Sequence, residues 1–152
     1  MTVAGRAWCL AGALCAFIVA ADQVAKAIVE AQLVPGEDVN LLGPLGLTLS
    51  HNRGVAFGLA GGAGAPLIAV SLVALGVIAY LFARNPARPG IWVATGLLAG
   101  GAIGNLIDRT RAGEVTDYVV VSSWPPFNLA DVAITAGVLL LAFLYLRESG
   151  DD

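Results

Sequence analysis

Apolar residues along this chain gather into four long runs: Ala7–Val29, Ala65–Ala83, Ile91–Ile107 and Leu129–Leu146. At about 1.5 Å of rise per helical residue, each run, some with their flanks, covers the ~30 Å of a bilayer core. The pattern predicts four transmembrane helices in a single domain over residues 1–152. A short polar turn, Arg84-Asn-Pro-Ala-Arg-Pro89, separates the second run from the third, and its prolines stop helices. The first and second runs are joined by a longer connection, about residues 30–64. Within it, Leu45-Gly-Leu-Thr-Leu-Ser50 alternates leucine with small or polar residues, the period of a strand. Glu114–Val121 reads the same way, with β-branched residues around Asp117. Both stretches follow odd-numbered spans, so they lie on one side of the membrane, where a small sheet is the economical arrangement. The predicted class is an all-α membrane protein with four spans, a small extracytoplasmic β-sheet and a short interfacial helix.

The polar residues inside the runs share a depth. Asp22 follows 15 residues from Ala7, Asn105 follows 14 from Ile91, and Asp131 is reached after 15 residues counted back from Leu146. Adjacent spans run antiparallel, so all three lie ~20–24 Å from the same membrane face. Asp108 follows one turn after Asn105. A charge at the centre of a membrane helix costs about 2.5–3.5 kcal/mol, and less near an interface. Several acid and amide groups at one level therefore predict a shared polar site on the side with the long connections.

Composition agrees with a membrane protein. Hydrophobic residues make up 58% of the chain and charged residues 12%, against about 25% charged in soluble domains. The net charge of −3 leaves no basic patch to neutralise phosphates, which excludes nucleic acid as a partner. Cys9 and Cys15 lie six apart inside the first run, on different helix faces, and read as small buried residues. With His51 as the one histidine and no HExxH motif, no metal site is expected. Arg6 before an apolar run resembles the start of a signal sequence. The run continues through Asp22 and Lys26 without a small-residue cleavage site, and Leu14 is too large to precede a lipidated Cys15, so a retained helix is expected. Arg6, Arg84, Arg88 and Arg147 lie on the face with the termini, against Lys26, Arg53, Arg109 and Arg111 opposite. The numbers tie, but the termini side has the shorter segments, which places it in the cytoplasm.

Four blocks then resemble the lipoprotein signal peptidase family (signal peptidase II, aspartyl peptidase family A8). They are Asp22-Gln-Val-Ala-Lys26; Asn52-Arg-Gly-Val-Ala-Phe-Gly58; Gly100-Gly-Ala-Ile-Gly-Asn-Leu-Ile-Asp-Arg109 with Gly113-Glu-Val-Thr-Asp117; and Phe127-Asn-Leu-Ala-Asp131. They occur in the family's order and spacing and span most of the chain. Val55 stands where alanine is common and Tyr118 where phenylalanine is common; neither replaces a polar group.

The resemblance implies that Asp117 and Asp131 are the catalytic pair. Metal-free peptide hydrolysis needs a base to activate water and an acid to polarise the carbonyl, and two neighbouring carboxylates sharing a proton supply both. Asn105 and Asn128 are expected to fix the aspartates or the substrate backbone. Arg109 suits pairing with Asp108 or Asp22, or binding substrate carbonyls with its forked donors. Asp22 and Lys26, at i and i+4, read as a helix ion pair, and the resemblance places Asp22 near the site as support. Asn52 and Gly54 open Val55-Ala-Phe-Gly-Leu-Ala60, apolar enough to lie on the bilayer as a lid. His51 is expected to be a bystander, and Gly100, Gly101 and Gly104 to permit close helix contact.

The implied substrate is a diacylglyceryl-modified prolipoprotein, cut just before the lipidated cysteine, with membrane lipid as the other partner. No cofactor is implied, and a monomer is expected. A proton-coupled transporter would keep a key acid midway along a helix with short loops, and an accessory protein has no need for acids at one depth. The serine GxSx and aspartyl GxGD motifs of other intramembrane peptidases are absent from the sequence.

Overall fold

The computed structural model describes residues 1–54 and 64–148. The chain runs α1 (Val3–Gln32), β1 (Asp38–Leu42), β2 (Leu45–Asn52), α2 (Gly64–Arg84), α3 (Ile91–Ala112), β3 (Val115–Val121), β4 (Trp124–Phe127) and α4 (Leu129–Glu148). All four helices are long and apolar enough to cross a membrane. The strands form one antiparallel sheet in the order β1-β2-β3-β4. The surface segment expected over Val55–Ala60 lies outside the described residues.

Each helix reaches a little past its apolar run. Helix α1 starts at Thr2, whose hydroxyl accepts the Gly5 N–H at 3.1 Å, and it continues through the charged turn to Gln32. Helix α3 carries its polar residues as far as Ala112 and stops at Gly113, whose φ of 78° suits glycine and whose N–H bonds the Arg109 carbonyl. The chain enters β3 two residues later, so Asp108 and Asp117 flank one tight corner. Strands β1 and β4 were not expected from the sequence. Strand β4 reads Trp-Pro-Pro-Phe, which an edge position permits because its outer side needs no N–H partners.

Helix α3 is the hub, packing against α1, α2 and α4. Small residues allow this. A Cβ on Gly96 or Gly100 would meet Leu14 or Ile18 of α1 at 2.9 and 2.8 Å, and one on Gly101 would run into the Ala130 carbonyl of α4. Gly100 and Gly101 thus serve close helix contact, as expected, and Gly96 does the same.

Two apolar clusters sit at opposite ends. At the termini end, Ala7, Ala11, Phe82 and Ile91 pack together, with the Trp8 and Phe82 rings 4.5 Å apart. At the sheet end, Val29, Leu49 and Tyr118 join the sheet to α1 and to Leu129 at the start of α4. The polar residues lie just inside this second cluster.

Candidate active site

Two acids from different elements meet at the sheet end. Asp117 lies in β3 opposite Ser50 of β2, and Asp131 lies in the first turn of α4. Asp117 is buried and Asp131 half-buried.

The start of α4 explains where Asp131 points. The Asn128 Oδ1 accepts the Asp131 N–H at 2.9 Å, and the Asp131 Oδ2 accepts the Asn128 N–H at 3.2 Å. This is a reciprocal capping box, with aspartate at the third position in place of the usual glutamate. The remaining amides are also taken by side chains: Leu129 N–H donates to the Tyr118 hydroxyl at 3.2 Å and Ala130 N–H to Asp22 Oδ1 at 3.0 Å. An acid in this first turn also lies at the positive end of the helix dipole.

Three asparagines hold the two carboxylates. Asn52 Nδ2 donates to Asp117 Oδ2 at 3.0 Å, and Asn128 Nδ2 to Asp117 Oδ1 at 2.7 Å. Asn105 Nδ2 donates to Asp131 Oδ1 at 2.8 Å. Asn128 touches both aspartates and is fully buried, so it fixes their relative placement. The Asn52 Oδ1 accepts the Gly54 N–H at 2.8 Å, which turns its amino group toward Asp117. Gly54 has φ of 72°, and a Cβ there would run into Leu67.

Behind the pair lies a buried ion cluster. The Lys26 ammonium contacts Asp22 Oδ2 at 2.8 Å, Asp108 Oδ2 at 2.6 Å and Asn105 Oδ1 at 3.1 Å. Asp22 is 0% exposed and Lys26 3%. Gln23 Nε2 donates to Asp108 Oδ1 at 2.8 Å. Gly104 leaves room for this cluster, because a Cβ there would lie 2.7 Å from Asp22 Oδ2.

Burial pushes the Asp117 carboxyl up to about 6, and the nearby Asp131 adds to the rise. The Asn52 and Asn128 amides and the Lys26 ammonium pull it the other way. A carboxyl poised there changes protonation close to neutral pH, as acid–base work requires.

Most of the residues singled out from the sequence are thus in direct contact: Asp22, Lys26, Asn52, Asn105, Asp108, Asp117, Asn128 and Asp131. Arg109 is the exception. Lys26 already spans both Asp22 and Asp108, so neither pairing expected for Arg109 forms, and its buried Nε has no hydrogen-bond partner among the described residues. His51 is exposed on β2 opposite Thr116, next in register to the Ser50–Asp117 pair. Sequence reasoning missed the Tyr118 hydroxyl and Gln23. The Asn128-Leu-Ala-Asp131 spacing carries the capping-box signal, but nothing local marks Tyr118 as its neighbour or Gln23 as a neighbour of Asp108.

Comparisons with known proteins point to one family. The sequence model of signal peptidase (SPase) II, peptidase family A8, matches residues 14–147. The lipoprotein signal peptidase of Moorella thermoacetica is 38% identical over 141 residues, covering 91% of this chain and 94% of that protein. That of Syntrophomonas wolfei is 44% identical over 133 residues, covering 86% and 89%. A bacterial membrane enzyme solved by the in meso method at 2.3 Å superposes with a TM-score of 0.86 at 29% identity, covering 93% of this chain and 90% of that one. A second such enzyme, at 1.9 Å, gives 0.80 at 28% identity over 90% and 92%. With a family match over nearly its whole length and a multi-pass membrane fold shared with these enzymes, the chain belongs to the signal peptidase II family of membrane peptidases.

Proposed function

We propose that this protein removes the signal peptide from diacylglyceryl-modified bacterial prolipoproteins, cutting on the N-terminal side of the lipidated cysteine, with Asp117 and Asp131 as an aspartyl pair. One observation carries the reading: a single buried residue, Asn128, donates to both carboxyl groups, its side-chain amide to Asp117 on the sheet and its backbone N–H to Asp131 at a helix start. Two carboxyl groups held together share a proton, because both do not ionise cheaply at close range. The ionised member accepts a proton from water, and the hydroxyl oxygen forms a bond to the scissile carbonyl carbon. The protonated member donates to the carbonyl oxygen. Collapse of the tetrahedral species breaks the C–N bond: the proton taken from water goes to the cysteine amine, and a diol hydroxyl returns its proton to the aspartate that donated as the new carboxyl group forms.

No cofactor enters this scheme. The apolar signal helix and acyl chains partition into the bilayer, so the membrane supplies much of the binding and the polar cluster orients the scissile bond. Arg109, whose Nε has no hydrogen-bond partner among the described residues, suits carbonyl groups of the substrate backbone. The arginines at the termini end support cytoplasmic termini, which puts the sheet and the aspartates on the extracytoplasmic face. We take the working unit to be a monomer.

The test is cleavage of a purified diacylglyceryl-modified prolipoprotein in detergent by wild type, Asp117→Asn and Asp131→Asn. Each folded variant is expected to lose about 10³-fold or more in rate, at the upper part of the range for acid–base groups. Full activity in either variant removes that aspartate from the pair. External cysteine labelling at Ala87 without permeabilisation would overturn the orientation.

A further inference from the structure

The hydrolysis scheme leaves Lys26 without a task, although it is the one ammonium buried behind the two acids. Charge balance alone does not explain its contacts. Asp22, one turn away on α1, and Asp108 of α3 already surround it with carboxylates. Its third contact is an amide oxygen, Asn105 Oδ1 at 3.1 Å. An ammonium has three donors and no acceptor, so the Asn105 atom facing it must be the oxygen. That oxygen also accepts Asn128 Nδ2 at 3.1 Å. The amino end of Asn105 is therefore left facing Asp131 Oδ1 at 2.8 Å. A reversed amide would set its oxygen against a carboxylate and its N–H groups against Lys26 and the Asn128 amide.

The same logic runs through Asn128. Its oxygen faces the Asp131 N–H, an obligate donor, so its amino group reaches Asp117, Asn105 and the Thr116 carbonyl. Lys26 thus stands at the head of a chain of fixed polarities that ends on both acids.

We propose that Lys26 is a positioning residue: its ammonium locks the orientation of the Asn105 amide and thereby the donors that aim Asp131 at Asp117. This rests on the aspartyl-pair reading above. A residue that only stabilises the bundle would lower the folded fraction; one that sets amide polarity changes the chemistry of molecules that remain folded.

The experiment is a double-mutant cycle on the full chain, with cleavage kinetics of the diacylglyceryl-modified substrate for wild type, Lys26→Met, Asn105→Ala and the pair. Lys26→Met is expected to lower kcat by on the order of 30-fold with KM within about twofold, because the interaction matters in the transition state. In the Asn105→Ala background the same substitution should lower kcat by less than about threefold, since the relay is already cut. The pH–rate profile gives a second readout. Asp131 from α4 and Lys26 from α1 are the charged groups acting on Asp117, alongside the Asn52 and Asn128 amides. Loss of the Lys26 cation should move the acid-side limb of the profile to higher pH.

Lys26→Met leaves Asp22 and Asp108 unbalanced, so Lys26→Met with Asp108→Asn is the variant that carries the test if the single one does not fold. It should recover Tm and keep the kcat loss. Equal losses of kcat in both Asn105 backgrounds, or wild-type kcat in the charge-balanced variant, would overturn the proposal. Neither result bears on the aspartyl pair, whose own Asp→Asn variants report separately.

Discussion

The two ends of the bundle solve different problems with the same helices. At the termini end, α1, α2 and α3 meet through Ala7, Ala11, Phe82 and Ile91, an apolar plug sealed by the Trp8–Phe82 ring contact. At the sheet end, α1, α3 and α4 meet through aspartates, asparagines and a lysine in hydrogen-bond contact. The plug tolerates rearrangement, since lipid is as apolar as the residues it joins and dispersion is non-directional. The polar end does not, because its donors and acceptors are paired by direction and a misplaced group is left buried and unpaired. Apolar packing and polar pairing are thus separated along the bundle axis, with α3 spanning both.

The sharpest way to break this contrast is at α3, where the polar end depends on close backbone approach. Gly101→Val drives a side chain into the Ala130 carbonyl, one residue before Asp131. Displacing α4 by about 1 Å is expected to lower kcat by on the order of 100-fold in the molecules that fold. Cleavage kinetics normalised to folded protein checks this, and near-normal turnover would show that α4 is not held by that contact.

A matched pair of truncations sharpens the comparison. Phe82→Ala, at the apolar end, should cost roughly 1–2 kcal/mol, less than the ~3–5 kcal/mol of a soluble core, because the membrane-embedded unfolded state keeps the ring in hydrocarbon. Its kcat should stay within about twofold of wild type. Asn128→Ala should cost a similar amount, about 1 kcal/mol for the lost cap, yet lower kcat at least about 100-fold. Thermal unfolding in detergent beside cleavage rates separates the two; parallel losses of kcat would refute the division of labour.

The smallest effect concerns pH. Burial raises the Asp117 carboxyl from its ordinary 3.8 to about 6, so the folded state favours its protonated form. That contribution is full below about pH 3.8 and is lost as pH rises through about 6. Asp117→Asn cannot ionise. Its Tm relative to wild type should therefore rise by about 3 °C between about pH 4 and about pH 7. A constant difference across that range would show that Asp117 titrates unperturbed.

Much of this architecture was legible in the linear chain because lipid imposes simple rules. Run length sets the spans, and depth counting placed Asp22, Asn105 and Asp131 in one layer, where the structure joins them through Lys26 and Ala130. The spacing of Asn128 and Asp131 encodes a helix start whose cap and candidate reactive group are the same residues. Strands β1 and β4 escaped because an edge strand such as Trp-Pro-Pro-Phe owes its pairing to neighbours rather than to propensity. Of the two readings for Arg109, pairing with Asp22 or Asp108 meets acids that Lys26 already holds, since charge and proximity in sequence do not say which cation reaches across the α1–α3 contact. The Tyr118 hydroxyl was overlooked for a similar reason: its acceptor role appears only once β3 lies beside the first turn of α4.

The start of α4 also acts as a ruler for assembly, because its Leu129 and Ala130 amides are held by Tyr118 of β3 and Asp22 of α1. If α4 sat one turn too deep or too shallow, both amides would lose those partners and the two acids would separate in the same step. The depth of the fourth helix and the alignment of its acid are thus set by the same bonds.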